Sequence, residues 1–173
     1  MIKFNKIITA ILIFICGIII FFIDQKLFGT LKIAPSLFLI YLTFIYLNTN
    51  LKIGLIFGTV YLYIFDAFLN INPVSSILAI YISLMVLEIL KNTIFKKNNK
   101  VNSIILISII TILFETLRTF IQIKFLNFEF IKILCVEIIL NSVITFLLYD
   151  ISKPFREKLN EVFSKSNILT RYF

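Results

Sequence analysis

Histidine is absent from this chain of 173 residues, which excludes imidazole metal ligation and any histidine general base. Only two cysteines occur, Cys16 and Cys135, without the C-x-x-C spacing of a metal or redox motif. Both fall within apolar runs, where a free thiol is expected to act as a small buried packing group. Glycine is scarce, at four residues, and neither a glycine-rich phosphate loop nor a G-x-S-x-G nucleophile turn is present. H-E-x-x-H is missing, as is any D-x-x-D pair of acidic ligands within an apolar run. These absences argue against an enzyme, and neither cofactor nor metal is expected.

What the chain has in excess is apolar surface. Hydrophobic residues make up 60% of it and the mean hydropathy is +1.04. They gather in six runs, at 7–23, 33–47, 53–70, 74–90, 101–121 and 131–149, leaving no room for a sizeable soluble domain. A bilayer core of about 30 Å takes about 20 apolar residues in a helix, with a lower limit near 17. Run 7–23 sits at that limit, and 33–47 falls below it unless Leu31 and Asn48 are drawn in. The expected fold is therefore all-α and polytopic: one domain of six transmembrane helices over 1–150, then a basic amphipathic tail over 151–173. The first run is followed by Asp24-Gln25-Lys26-Leu27, which offers no small-x-small cleavage site, so it is expected to stay as a membrane helix.

Charge sets the expected orientation. In a six-span arrangement one side collects Lys3, Lys6, Lys52, Lys91, Lys96, Lys97, Lys100, Lys153, Arg156, Lys158, Lys165 and Arg171, and the other only Lys26, Lys32, Lys124 and Lys132. Positively charged short loops stay cytoplasmic, so both termini are expected inside, with the chain a multi-pass protein of the cytoplasmic membrane. The +8 net charge is spread along one membrane face, which fits anionic lipid headgroups and not a nucleic-acid footprint. In the tail, Ile151, Phe155, Leu159 and Val162/Phe163 recur at helical spacing, with Lys153, Arg156, Lys158 and Lys165 on other faces. Pro154 is tolerated in a first turn, and a short amphipathic helix is expected on the cytoplasmic leaflet, its apolar side in lipid.

Apart from Lys132 at the start of the last run, five acidic or basic residues lie inside the runs: Asp66, Glu88, Glu115, Arg118 and Glu137. Such residues are costly in hydrocarbon and mark a packed interior, a cavity or a partner. Glu88, next to Lys91 near the cytoplasmic end of its run, is expected to be structural. The other four fall on the outer side of the midplane, at depths agreeing within about one to two turns of a 1.5 Å rise. Glu115 and Arg118 are neighbours on one helix face. Arg118 is expected to pair with Glu115 and with Asp66 or Glu137 from another span. Three readings stand: a buried ion network pinning three helices, a solute site or proton path, and an intramembrane contact to a partner. Gly54 and Gly58 form a G-x-x-x-G step, and Ser76, Ala79 and Ser83 a small-residue stripe; such faces allow close helix approach, within the chain or against a partner.

The stretch 34–90 resembles the MreD family of bacterial rod-shape-determining membrane proteins. Ala34-Pro35 opens a short second span, a polar break follows at Asn48-Thr49-Asn50-Leu51-Lys52, and Gly58 precedes Asp66 late in the third span. Glu137-Ile138-Ile139-Leu140-Asn141-Ser142-Val143 is similar to the family's asparagine-bearing last span, which runs into a short basic tail. The resemblance covers essentially the whole chain. It implies a non-enzymatic scaffold of the cell-elongation complex. Such a scaffold binds the bitopic protein MreC and, less directly, links MreB filaments to the peptidoglycan polymerase and transpeptidase. The family is also similar in architecture to the substrate-binding subunits of energy-coupling-factor vitamin transporters, which gives the alternative. Those subunits carry an alanine-rich docking motif in the first span, where Ala10 here stands alone among isoleucines.

Overall fold

A backbone in hydrocarbon must satisfy its own polar groups, and the apolar runs do so as helices. The computed structural model describes residues 2–28, 36–69, 72–95, 99–122 and 128–164. They form α1 (Ile2–Phe28), α2 (Leu37–Asn48), α3 (Leu51–Phe68), α4 (Pro73–Thr93), α5 (Lys100–Ile121), α6 (Phe128–Ile151) and α7 (Lys153–Ser164), with no strand among the described residues. Ala34-Pro35 and the loop and tail charges Lys32, Lys96, Lys97, Lys124, Lys165 and Arg171 lie outside them.

The polar breaks between runs act as helix starts. Asn50, Asn72 and Asn99 each stand one residue before a helix, and their side-chain oxygens accept the backbone N–H of Ile53, Val74 and Asn102. An asparagine there satisfies one of the donors that a first turn leaves unpaired. Pro73 follows Asn72 at the first helical position, where its missing N–H costs nothing.

Four helices, α3, α4, α5 and α6, are long and apolar enough to cross a membrane, as expected of a multi-pass membrane protein. α1 is a helix of 27 residues whose apolar part, Ile8–Asp24, is shorter than theirs. The second run departs from expectation: α2 has 12 residues, so at 1.5 Å per residue it is about 18 Å long, well short of a bilayer core. It is instead the centre of the molecule. α2 packs against α1, α3, α5, α6 and α7, and every residue from Phe38 to Asn48 is buried. α3, α4, α5 and α6 follow one another as antiparallel neighbours, and α1 covers the remaining side against α2 and α3. Among the described residues, the backbones of α1 and α6 do not come within 8 Å of each other.

The tail does form an amphipathic helix, but its apolar side does not face lipid. Leu159 is buried in the main core cluster, and Phe155 and Phe163 pack against that cluster. Tertiary contact outcompetes the bilayer here because the short α2 leaves an apolar hollow at one end of the bundle, and α7 fills it. Arg156, expected on a basic solvent face, is buried. It donates to the Tyr149 carbonyl at 2.7 Å and lies 3.6 Å over the Tyr149 ring, fastening α7 to the end of α6. The cysteines also differ from expectation: Cys16 and Cys135 are both exposed on the outside of the bundle.

The small-residue faces serve internal packing. A Cβ on Gly54 would stand 3.1 Å from the Tyr46 Cβ, and one on Gly58 would stand 3.3 Å from Leu42, so both glycines admit α2 against α3. Ser76, Ala79 and Ser83 are fully buried on α4.

Candidate functional site

At the end of the bundle opposite α7, three helix termini meet: the last turn of α3, the first of α4 and the last of α5. Asp66, Ser75, Ser76, Arg118 and Gln122 come together there. Asp66 is only 2% exposed, and its Oδ1 stands 3.6 Å from the Arg118 guanidinium, the one ion pair among the described residues that joins two membrane-length helices within their apolar runs. The Ser76 hydroxyl lies beside the Asp66 carboxylate. Gln122, just past the end of α5, donates its amide to the Ser75 hydroxyl at 3.3 Å. The Arg118 guanidinium also sits 5.9 Å from the Phe114 ring centre, on its own helix.

Arg118 Nε is buried without a hydrogen-bond partner, whereas the buried Ser76 hydroxyl and the Asp66 carboxylate face each other. Unsatisfied buried polar groups are uncommon in native proteins. The cluster offers a guanidinium, a carboxylate and hydroxyls, a set that can hold a polar molecule or clamp helices.

Four residues were expected here, and the structure separates them. Arg118 and Asp66 pair directly. Glu115 lies within reach of the Arg118 charge and Glu137 within reach of both Glu115 and Arg118, yet neither forms an ion pair with Arg118. Glu115 precedes Arg118 by three positions on α5, whereas Asp66 approaches from α3 and reaches the guanidinium first. Glu88 is structural, as expected: it accepts the Tyr46 hydroxyl at 2.6 Å and the Asn92 amide at 3.1 Å.

A second polar node was not singled out from the sequence. Asn141 of α6 is fully buried. Its oxygen accepts the Ser36 backbone N–H at 2.8 Å, and its nitrogen donates to Thr111 Oγ1 of α5 at 3.0 Å. One side chain thus ties α6 to α5 and to the start of α2. That start lies inside the bundle, where unpaired N–H groups are costly. It is further satisfied by the Ser36 hydroxyl, which accepts from Leu39, and by the Asp24 carboxylate of α1, which faces the N–H groups of Leu37 and Phe38. The available signal was an amide inside an apolar run, which resembled a family feature but carried no partner information.

Among the described residues, no three His, Cys, Asp or Glu side chains gather as metal ligands. Comparison with protein families, with curated proteins and with solved structures gives no match to this chain.

Proposed function

We propose that this chain is a non-catalytic scaffold of the bacterial cell-elongation machinery. In this reading it is of the MreD type, resides in the cytoplasmic membrane with both termini inside, and binds a bitopic MreC-like protein. Through that protein it helps couple MreB filaments to peptidoglycan synthesis and cell shape. The observation that carries this reading is the unequal covering of the membrane helices. In the apolar windows of α3, α4 and α5, between 28% and 39% of residues are buried, against 11% in α6, so α6 offers the widest uncovered side to another helix. Ile131, Val136, Ile139, Val143 and Leu147 are exposed along it.

The test uses a cysteine already in place. Cys135 is exposed on α6 and Cys16 on α1. With single cysteines placed along the partner's transmembrane helix, disulfide cross-links are expected from Cys135 and not from Cys16, and depletion of the protein is expected to round the cells. Cross-linking from Cys16 alone, or unchanged rod shape on depletion, would reject the proposal.

A second reading, a substrate-binding subunit of an energy-coupling-factor vitamin transporter, draws on the buried, partnerless Arg118 Nε beside the Asp66 carboxylate and the Ser76 hydroxyl. Co-purification with a transporter ATPase module and calorimetric binding of a vitamin, abolished by Asp66→Asn, would favour it instead.

A further inference from the structure

Among the described residues the backbones of α1 and α6 stand apart, and a crevice lies between them. Cys16 and Ile20 of α1 form one wall and Leu148 and Ile151 of α6 the other, around a cavity of about 300 Å³. Phe155 of α7 and Cys16 also line a second cavity of about 220 Å³, which continues towards the tail and is bordered by Lys158. The lining is almost wholly apolar until Lys158 is reached.

The width of the crevice selects its occupant. Its floor is α2, where Ile40, Tyr41 and Phe44 are only 1%, 8% and 5% exposed. A cavity of about 300 Å³ is too small to take in a helix, whose diameter with side chains is about 10 Å. A hydrocarbon chain is narrow enough. The crevice also ends in charge of the right sign: Lys158 stands where a phosphate would lie once a chain threads past Phe155 and Cys16, at the end of the molecule that carries most of the basic residues. A lysine places its ammonium at headgroup level while its stem lies along apolar surface, and each cation near an anionic leaflet adds about 1 kcal/mol of attraction.

We infer that this crevice binds one anionic phospholipid, with an acyl chain between α1 and α6 over α2 and its phosphate against Lys158. The bound lipid completes the side of the bundle that the short α2 leaves open. This inference rests on the membrane reading alone and stands or falls independently of the scaffold proposal.

The chain contains no tryptophan, so a single introduced one reports its own surroundings. Phe155→Trp places it at the junction of the two cavities, and Leu147→Trp places it on the uncovered side of α6 as a bulk-lipid control. The full chain is reconstituted in phosphatidylcholine vesicles containing increasing amounts of phosphatidylglycerol with brominated acyl chains. Quenching of Phe155→Trp is expected to saturate at a several-fold lower mole fraction than that of Leu147→Trp. Adding Lys158→Gln should move it towards the control. Brominated phosphatidylcholine should quench the two positions alike. Ile20→Trp, further along the crevice, repeats the measurement should Phe155→Trp fail to fold. Identical curves for the crevice and control positions would overturn the inference, as would indifference to Lys158→Gln. No quenching at the crevice position by either lipid would show that it is closed or filled by protein, which also overturns it.

Discussion

The ring of Tyr61, on α3, lies against the bare backbone of Gly17, on α1. Its hydroxyl donates to the carbonyls of Ile13 at 2.9 Å and Phe14 at 3.1 Å, and Tyr41 of α2 donates to the same Ile13 carbonyl at 2.6 Å. A Cβ on Gly17 would overlap the Tyr61 ring. The missing side chain is what exposes one turn of the α1 backbone to two tyrosines, and α1 is held to the bundle through it.

Gly17→Ala is therefore expected to destabilise the protein by about 1–3 kcal/mol, the usual cost of overpacking a rigid site. Tyr61→Phe should cost less, about 1 kcal/mol for its hydrogen bonds. Thermal unfolding in mild detergent measures both. A Gly17→Ala protein as stable as the parent would mean that α1 does not dock on Tyr61.

Arg118 and Asp66 join α5 to α3, and removing either strands a charge in a poorly solvated place. Arg118→Ala is expected to lose about 2–3 kcal/mol, towards the low end for a buried pair because Arg118 is a quarter exposed. In double-mutant cycles, Arg118→Ala should couple more strongly to Asp66→Asn than to Glu115→Gln. Stronger coupling to Glu115 would place the pair on one helix and dissolve the link between α3 and α5.

Asn141→Ala should leave the Ser36 N–H without its partner, at about 1–3 kcal/mol for the stranded group, while the Thr111 hydroxyl keeps its bond to the Ile107 carbonyl at 2.9 Å. Ser142, one residue on, shares a 3.0 Å hydrogen bond with Ser108 but also donates to the Ile138 carbonyl of its own helix. Ser142→Ala is expected to cost only about 0.6 kcal/mol, the average for such bonds between membrane helices. Faster hydrogen exchange at 37–40 in Asn141→Ala, and not in Ser142→Ala, would locate the damage at the start of α2. Equal effects of the two substitutions would deny Asn141 its special place.

Orientation follows from the distribution of Lys and Arg. A reporter fused after Phe173 is expected in the cytoplasm and one at Asn72 outside, read by paired phosphatase and fluorescent-protein fusions. A cytoplasmic reporter at Asn72 would contradict the inside placement of both termini.

The class of the molecule was legible in the chain because it depends on local quantities: hydropathy over a turn and the length of an apolar run. Those gave the apolar helices and the coming together of Asp66 and Arg118 at one depth, while the helix starts at Asn50, Asn72 and Asn99 came from the structure. Which partner Arg118 takes was not legible. Depth along a helix is a one-dimensional quantity, whereas the choice between Asp66, Glu115 and Glu137 depends on how the helices are rotated. The same limit hid the pairing of Gly17 with Tyr61 and the reach of Asn141 to Ser36, 105 positions away. Tertiary structure also decided the place of the two shortest apolar elements. α2 as a helix is shorter than a bilayer core and α7 is too amphipathic to bury alone, yet each covers the other's apolar surface. A pattern along one chain states how much surface must be buried; only the assembled bundle fixes what buries it.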